Sequence, residues 1–113
     1  MKQPTTKQFL SVLTKMKKPG GRQLDFLQAH YKAPGRAQTA TKLAAAAGYV
    51  DYRGVNIQYG RLASEIGAAL GREKDDLSLL VDFARPRSVT NRDWLLIMLP
   101  AFADALKMAG WVR

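Results

Sequence analysis

The sequence predicts a mainly α-helical chain with one small β-hairpin, in the order ααααββα. Three observations predict it. A short alanine-rich helix, a glycine turn and a longer helix follow one another between Thr39 and Leu70. Apolar residues recur at helical spacing through most of the chain, but at 77–84 they alternate, as a half-buried strand does. A second short apolar run, Trp94 to Leu99, stands beyond a basic, proline-containing loop, the arrangement of a hairpin.

Taken in order, Thr5 or Thr6 can cap a first helix reaching about Lys18. Phe9, Val12, Leu13 and Met16 form its inner face, while Lys7, Ser11, Lys15 and Lys18 lie outside. Such a cationic back is either plainly solvated or a source of phosphate contacts that carry no sequence information. Pro19-Gly20-Gly21 breaks the helix. A second helix over 22–32 buries Leu24, Leu27 and Tyr31, with Phe26 on its flank. His30 is the single histidine and has no acid at helical spacing, so a packing or surface role is expected rather than a metal or base role. The loop Ala33-Pro34-Gly35-Arg36 then places Arg36 just ahead of a helix N-terminus, where backbone N–H groups favour an anion. An ordinary exposed loop cation is the alternative.

Thr39 or Thr41 can cap the third helix, whose run Ala44–Ala47 is strongly helix-forming. Gly48 suits the left-handed residue that ends many helices. In the fourth helix, beginning near Gly54, the residues Val55, Tyr59, Leu62, Ile66 and Ala69 make one buried stripe. At about 100° per residue the opposite face carries Arg53, Ile57, Gly60, Arg61 and Ser64, flanked by Asn56 and Gln58. Two helices across a tight turn describe a helix-turn-helix, whose second member can enter the major groove. Tyr49 and Tyr52, in the turn, either staple it or stack on a displaced or modified base.

A polar connector at 71–76 leads to the strand at 77–84, where Leu77, Leu79, Val81 and Phe83 share a face. The loop that follows carries Arg85, Arg87 and Arg92 and is expected to be the basic tip of a wing at 84–93. After the second strand, Pro100 suits the first turn of a closing helix with Phe102, Ala105, Leu106 and Ala109 on its apolar side. Gly110 ends it, and Trp111-Val112 can fold back onto the core. The whole reads as a winged helix-turn-helix-like domain with added helices at both ends. It is one domain over 1–113, with a basic N-terminal helix at 1–21 and a core at 22–112.

Composition narrows the function. Eighteen Lys and Arg against nine Asp and Glu give a net charge of +9, and the pI is near 10.2. Up to Arg36 there are eight basic residues and one acid, Asp25, so the basicity is concentrated at the front. That asymmetry points to a polyanion. With no cysteine, a disulfide framework, a thiolate metal site and a cysteine nucleophile are excluded. No apolar run reaches the ~20 residues of a membrane helix, and the N-terminus lacks a signal-peptide core, so a cytoplasmic chain is expected. The phosphate-loop and dinucleotide motifs are absent, and zinc nucleases or deaminases need more His or Cys than the chain has. Asp75, Asp76, Asp82 and Asp93 could hold magnesium, but their spacing makes no nuclease centre. The expectation is a non-enzyme with no metal and no cofactor. Core packing is the expected role of Phe9, Phe26, Tyr31, Tyr59, Phe83, Trp94, Phe102 and Trp111.

The stretch GRAQTATKLAAAAGYVDYRGVNIQYGRLASEIGAALG and the tail FADALKMAGWV resemble a small bacterial module. That module is found on the N-terminal side of some HNH-type endonucleases of the modification-dependent restriction kind, and in stand-alone proteins. The resemblance covers about residues 22–112 and rests on Ala46–Tyr49, Asn56–Gly60 and Ala109–Trp111. It implies a DNA-reading accessory domain, and no nuclease motif accompanies it.

The function expected is non-catalytic binding of double-stranded DNA, in a restriction- or modification-related reader or regulator. Arg53, Asn56, Ile57, Gly60, Arg61 and Ser64 face the major groove in that reading, and Tyr52 binds the nucleic acid from the turn. Arg85, Arg87 and Arg92 reach backbone or minor groove from the wing, and Arg36, Lys15 and Lys18 add phosphate contacts. RNA or an acidic protein could take the place of DNA. The alternative class is a protein-binding adaptor or mobile-element inhibitor that uses the basic surface on an acidic partner. The sequence does not specify an oligomeric state.

Overall fold

A computed structural model of the chain describes residues 3–72, 77–84 and 94–113. Among these the order is α1 (Thr6–Lys15), α2 (Gly21–Lys32), β1 (Ala37–Thr39), α3 (Ala40–Ala47), α4 (Tyr52–Ala69), β2 (Val81–Ala84), β3 (Leu95–Met98) and α5 (Pro100–Met108). The molecule is mainly helical with a small antiparallel sheet. The sheet has three strands rather than the expected two, in the order β1-β3-β2. The first strand, Ala-Gln-Thr, carries no periodicity of its own and exists because β3 offers it an edge, with Ala37 opposite Ile97 and Thr39 opposite Leu95. The expected strand at 77–84 is shorter, because Leu77–Leu79 form a 3-10 turn and only Val81–Ala84 pair with β3.

Local chemistry sets the helix ends. Thr5 and Gln8 form a reciprocal cap: the Thr5 hydroxyl accepts from the Gln8 amide at 3.1 Å, and the Gln8 side chain accepts from the Thr5 amide at 2.9 Å. α1 stops at Lys15, three residues short of the expected end. Lys18 precedes Pro19 and is disfavoured in a helix, and its ammonium group instead donates to the Gly110 carbonyl at 2.9 Å. Gly48 closes α3 in the left-handed conformation, at φ 80°. Four residues, 48–51, separate α3 from α4, which starts at Tyr52, earlier than Gly54.

The core gathers one face from every helix and the inner face of the sheet. Phe9, Val12 and Leu13 of α1 meet Phe102 and Leu106 of α5, with the Phe9 and Phe102 rings 5.5 Å apart. Phe26, on the expected flank of α2, is fully buried against Tyr59, whereas Leu24 and Tyr31 are only partly covered. Trp111 and Val112 fold back into the core. His30 is buried completely and ties three elements together. Its Nε2 lies 2.8 Å from the Leu96 carbonyl of β3, and its Nδ1 lies 2.8 Å from the Tyr59 hydroxyl of α4. A carbonyl only accepts, so Nε2 carries the proton and Nδ1 accepts from the tyrosine. Burial lowers the His30 pKa and favours this neutral form, against the raising effect of the carbonyl contacts.

Candidate functional site

The outward surface of α4 and the groove beside its first turn make the candidate site. Asp51 caps the helix, with its carboxylate accepting from the Arg53 amide at 2.9 Å. Val55, Tyr59, Leu62, Ala63, Ile66 and Gly67 face inward. Arg53, Asn56, Ile57, Arg61 and Ser64 are exposed, Tyr52 is half exposed, and Gly60 is partly covered. Ala69, expected inside, is exposed. A 3.6-residue turn carries a strict four-three stripe gradually off the core, and Ala63 and Gly67 fill the place.

Two aromatic residues of the turn divide their roles. Tyr49 packs at 6.2 Å from the Phe26 ring, and the Arg22 guanidinium lies over its face at 5.9 Å. It is a staple, and α4 accommodates it only because residue 54 is glycine. A Cβ there would stand 2.6 Å from the tyrosine ring. Tyr52 instead turns outward.

Arg53 is exposed but not unpartnered. Its Nε and Nη2 grip the Asp51 carboxylate, with the shortest contact at 2.6 Å. The hydrogen bonds from Arg53 hold the Asp51 carboxyl below the usual carboxylate range, and the same pair keeps Arg53 firmly protonated. The acid both orients this cation and offsets its charge.

Arg36 does not stand ahead of a helix end. Strand β1 intervenes, and the arginine doubles back so that its Nη1 donates to the Tyr31 carbonyl at 2.6 Å and its guanidinium lies 4.0 Å above the Tyr31 ring. These contacts hold it at φ 54°, uncommon for a side chain with a Cβ. Lys15 is exposed on α1, which packs mainly on α5, and Lys18 is engaged with Gly110. Arg85, Arg87 and Arg92 lie outside the described residues.

Sequence reasoning missed one feature. Phe83 and Trp94, expected in the core, are 45% and 47% exposed. They share the strand parity of the buried Leu96, with Phe83 directly opposite it, yet stay only half covered. Their rings meet edge to face at 6.5 Å. With Ala40, Thr41, Tyr52, Asn56 and Leu96 they line a groove of about 690 Å³ between the first turns of α3 and α4 and the β2–β3 pair. The signal available in the sequence was their position at the two strand ends that flank the arginine-rich loop.

Among the described residues no three His, Cys, Asp or Glu side chains gather as metal ligands would, and no helix is long and apolar enough to cross a membrane. The arrangement offers cations and an amide along α4 and aromatic faces in the groove beside its first turn. No protein family, curated protein or solved structure matches the chain.

Proposed function

We propose that the chain is a winged-helix-type module that binds double-stranded DNA without catalysis. The observation that carries the reading is the outward face of α4, where Arg53, Asn56, Ile57, Arg61 and Ser64 stand exposed on a helix rigidly seated by its opposite face. A four-residue turn opening with glycine joins α3 to α4, the spacing of a helix-turn-helix. The antiparallel order β1-β3-β2, with β2 and β3 following α4, suits a wing beside that helix. The net charge of +9 supplies the long-range attraction. In this reading Arg61 and the Asp51-oriented Arg53 address phosphate or guanine, and the arginines that follow Ala84 in the sequence add backbone contacts. The sequence resemblance to a DNA-reading region of modification-dependent endonucleases supports a restriction- or modification-related role.

A salt titration tests it. With about six phosphate contacts, affinity for a duplex falls roughly a thousandfold between 50 and 200 mM salt. Arg61→Ala lowers the slope of log K against log salt by about one, with the fold unchanged. Absence of duplex binding at low salt would overturn the proposal in favour of an acidic protein partner.

A further inference from the structure

The aromatic groove has a use that major-groove reading by α4 does not absorb. We propose that it receives a single unpaired nucleobase of the bound DNA, stacked among Tyr52, Phe83 and Trp94 and hydrogen-bonded at its edge by Asn56. This rests on the DNA-binding reading above and assigns that surface a second, base-specific pocket.

Four observations favour a base over other occupants. The groove holds about 690 Å³, within the ~300–1,000 Å³ of small-molecule pockets, so a base with its sugar fits. Phe83 and Trp94 meet near perpendicular, at 80°, and so form a corner instead of a closed stack. Tyr52, from the first turn of α4, lines the same groove as this corner. The polar groups of the lining residues are the hydroxyls of Thr41 and Tyr52, the indole N–H of Trp94 and the amide of Asn56, with no carboxylate among the described lining residues. An amide presents a donor and an acceptor side by side, as the edge of a base requires, whereas a basic peptide or amine would call for acids. Finally, exposed cations are near in the chain: Lys42 follows Thr41, and Arg53, paired with Asp51, follows Tyr52. A base tethered to its phosphodiester is favoured by aromatic surface and by positive charge, and the groove supplies the first while the net charge of +9 supplies the second. Bases already out of the helix, in bulges or mismatches, enter most readily because their unstacking cost is smallest.

The test compares two duplexes at one salt concentration: a fully paired one, and the same sequence carrying a single-nucleotide bulge of 2-aminopurine. The bulged duplex is expected to bind about tenfold more tightly, with 2-aminopurine fluorescence quenched on binding as the base stacks. Trp94→Leu and Phe83→Leu keep an apolar side chain but remove the ring, and each is expected to abolish most of that advantage while leaving paired-duplex affinity unchanged. Equal affinity for both duplexes without a fluorescence change would overturn the base pocket and leave the DNA-binding proposal standing. A bulge preference that survives both leucine variants would place the base elsewhere and overturn it too. Failure to bind either duplex at low salt would remove both proposals together. The fluorescence readout on the unaltered protein decides the matter even if a variant fails to fold.

Discussion

The Nδ1 atom of His30 and the hydroxyl of Tyr59 lie 2.8 Å apart in a fully buried contact between α2 and α4. The outward face of α4 is therefore oriented from behind by a hydrogen bond as well as by packing. Replacing His30 with leucine leaves both the Tyr59 hydroxyl and the Leu96 carbonyl without this partner. The expected loss is about 2–5 kcal/mol of unfolding free energy, measured by urea denaturation.

The same residue gives the fold a pH dependence of definite sign. Burial lowers the folded-state pKa of His30 below its ordinary value, ~6.5 in an unfolded chain. The unfolded chain thus takes up the proton first as the pH falls. The contribution of His30 is complete above pH ~6.5 and is lost below it, by up to ~1.4 kcal/mol per pH unit, until the folded-state pKa is passed. Urea midpoints between pH 7.5 and 5 should show this decline, and His30→Leu should remove it.

Gly54→Ala separates packing from helix propensity. Propensity alone predicts a gain of ~1 kcal/mol in a helix interior. The contact of 2.6 Å between the added Cβ and the Tyr49 ring predicts the opposite, a loss of about 1–3 kcal/mol. Because Tyr49 is pinned by Phe26 and Arg22, destabilisation is the expected result in a thermal melt.

At Gly60 the surroundings are open, and an added Cβ meets nothing within 4 Å. Gly60→Ala should therefore stabilise the protein by ~0.5–1 kcal/mol. If α4 lies against a duplex, the same methyl group intrudes on the contact, and affinity falls while stability rises. Unchanged affinity would show that this part of α4 does not approach DNA closely.

Asp51→Asn retains a good helix cap but frees the Arg53 charge now gripped by the carboxylate. Stability should be little changed, while duplex affinity at 50 mM salt rises about twofold to fivefold and the gain shrinks as salt screens it. Weaker binding would mean that the acid positions Arg53 more than it offsets it.

Much of this architecture was legible in the sequence because it is written locally. The Thr5 cap, the left-handed Gly48 and the two faces of α4 each follow from a few neighbouring residues. Val55, Tyr59, Leu62 and Ile66 are buried as their spacing predicts, and Arg53, Ile57, Arg61 and Ser64 are exposed. What could not be read depends on residues distant in the chain. β1 is defined by its pairing with β3, 56 positions away at the Thr39–Leu95 end, a far longer separation than any local pattern spans. The alternation at 81–84 assigned Phe83 its correct face, but not the fact that it stays only half covered. Arg36 looked like a free cation because nothing in its neighbours reveals that the chain turns back over Tyr31.

Thr39 is both the last residue of β1 and the cap of α3, accepting from the Lys42 amide at 3.2 Å. No slack separates the sheet from the paired helices. The β1 edge of the sheet and the start of α3 are consequently set by one residue, so neither can shift without the other.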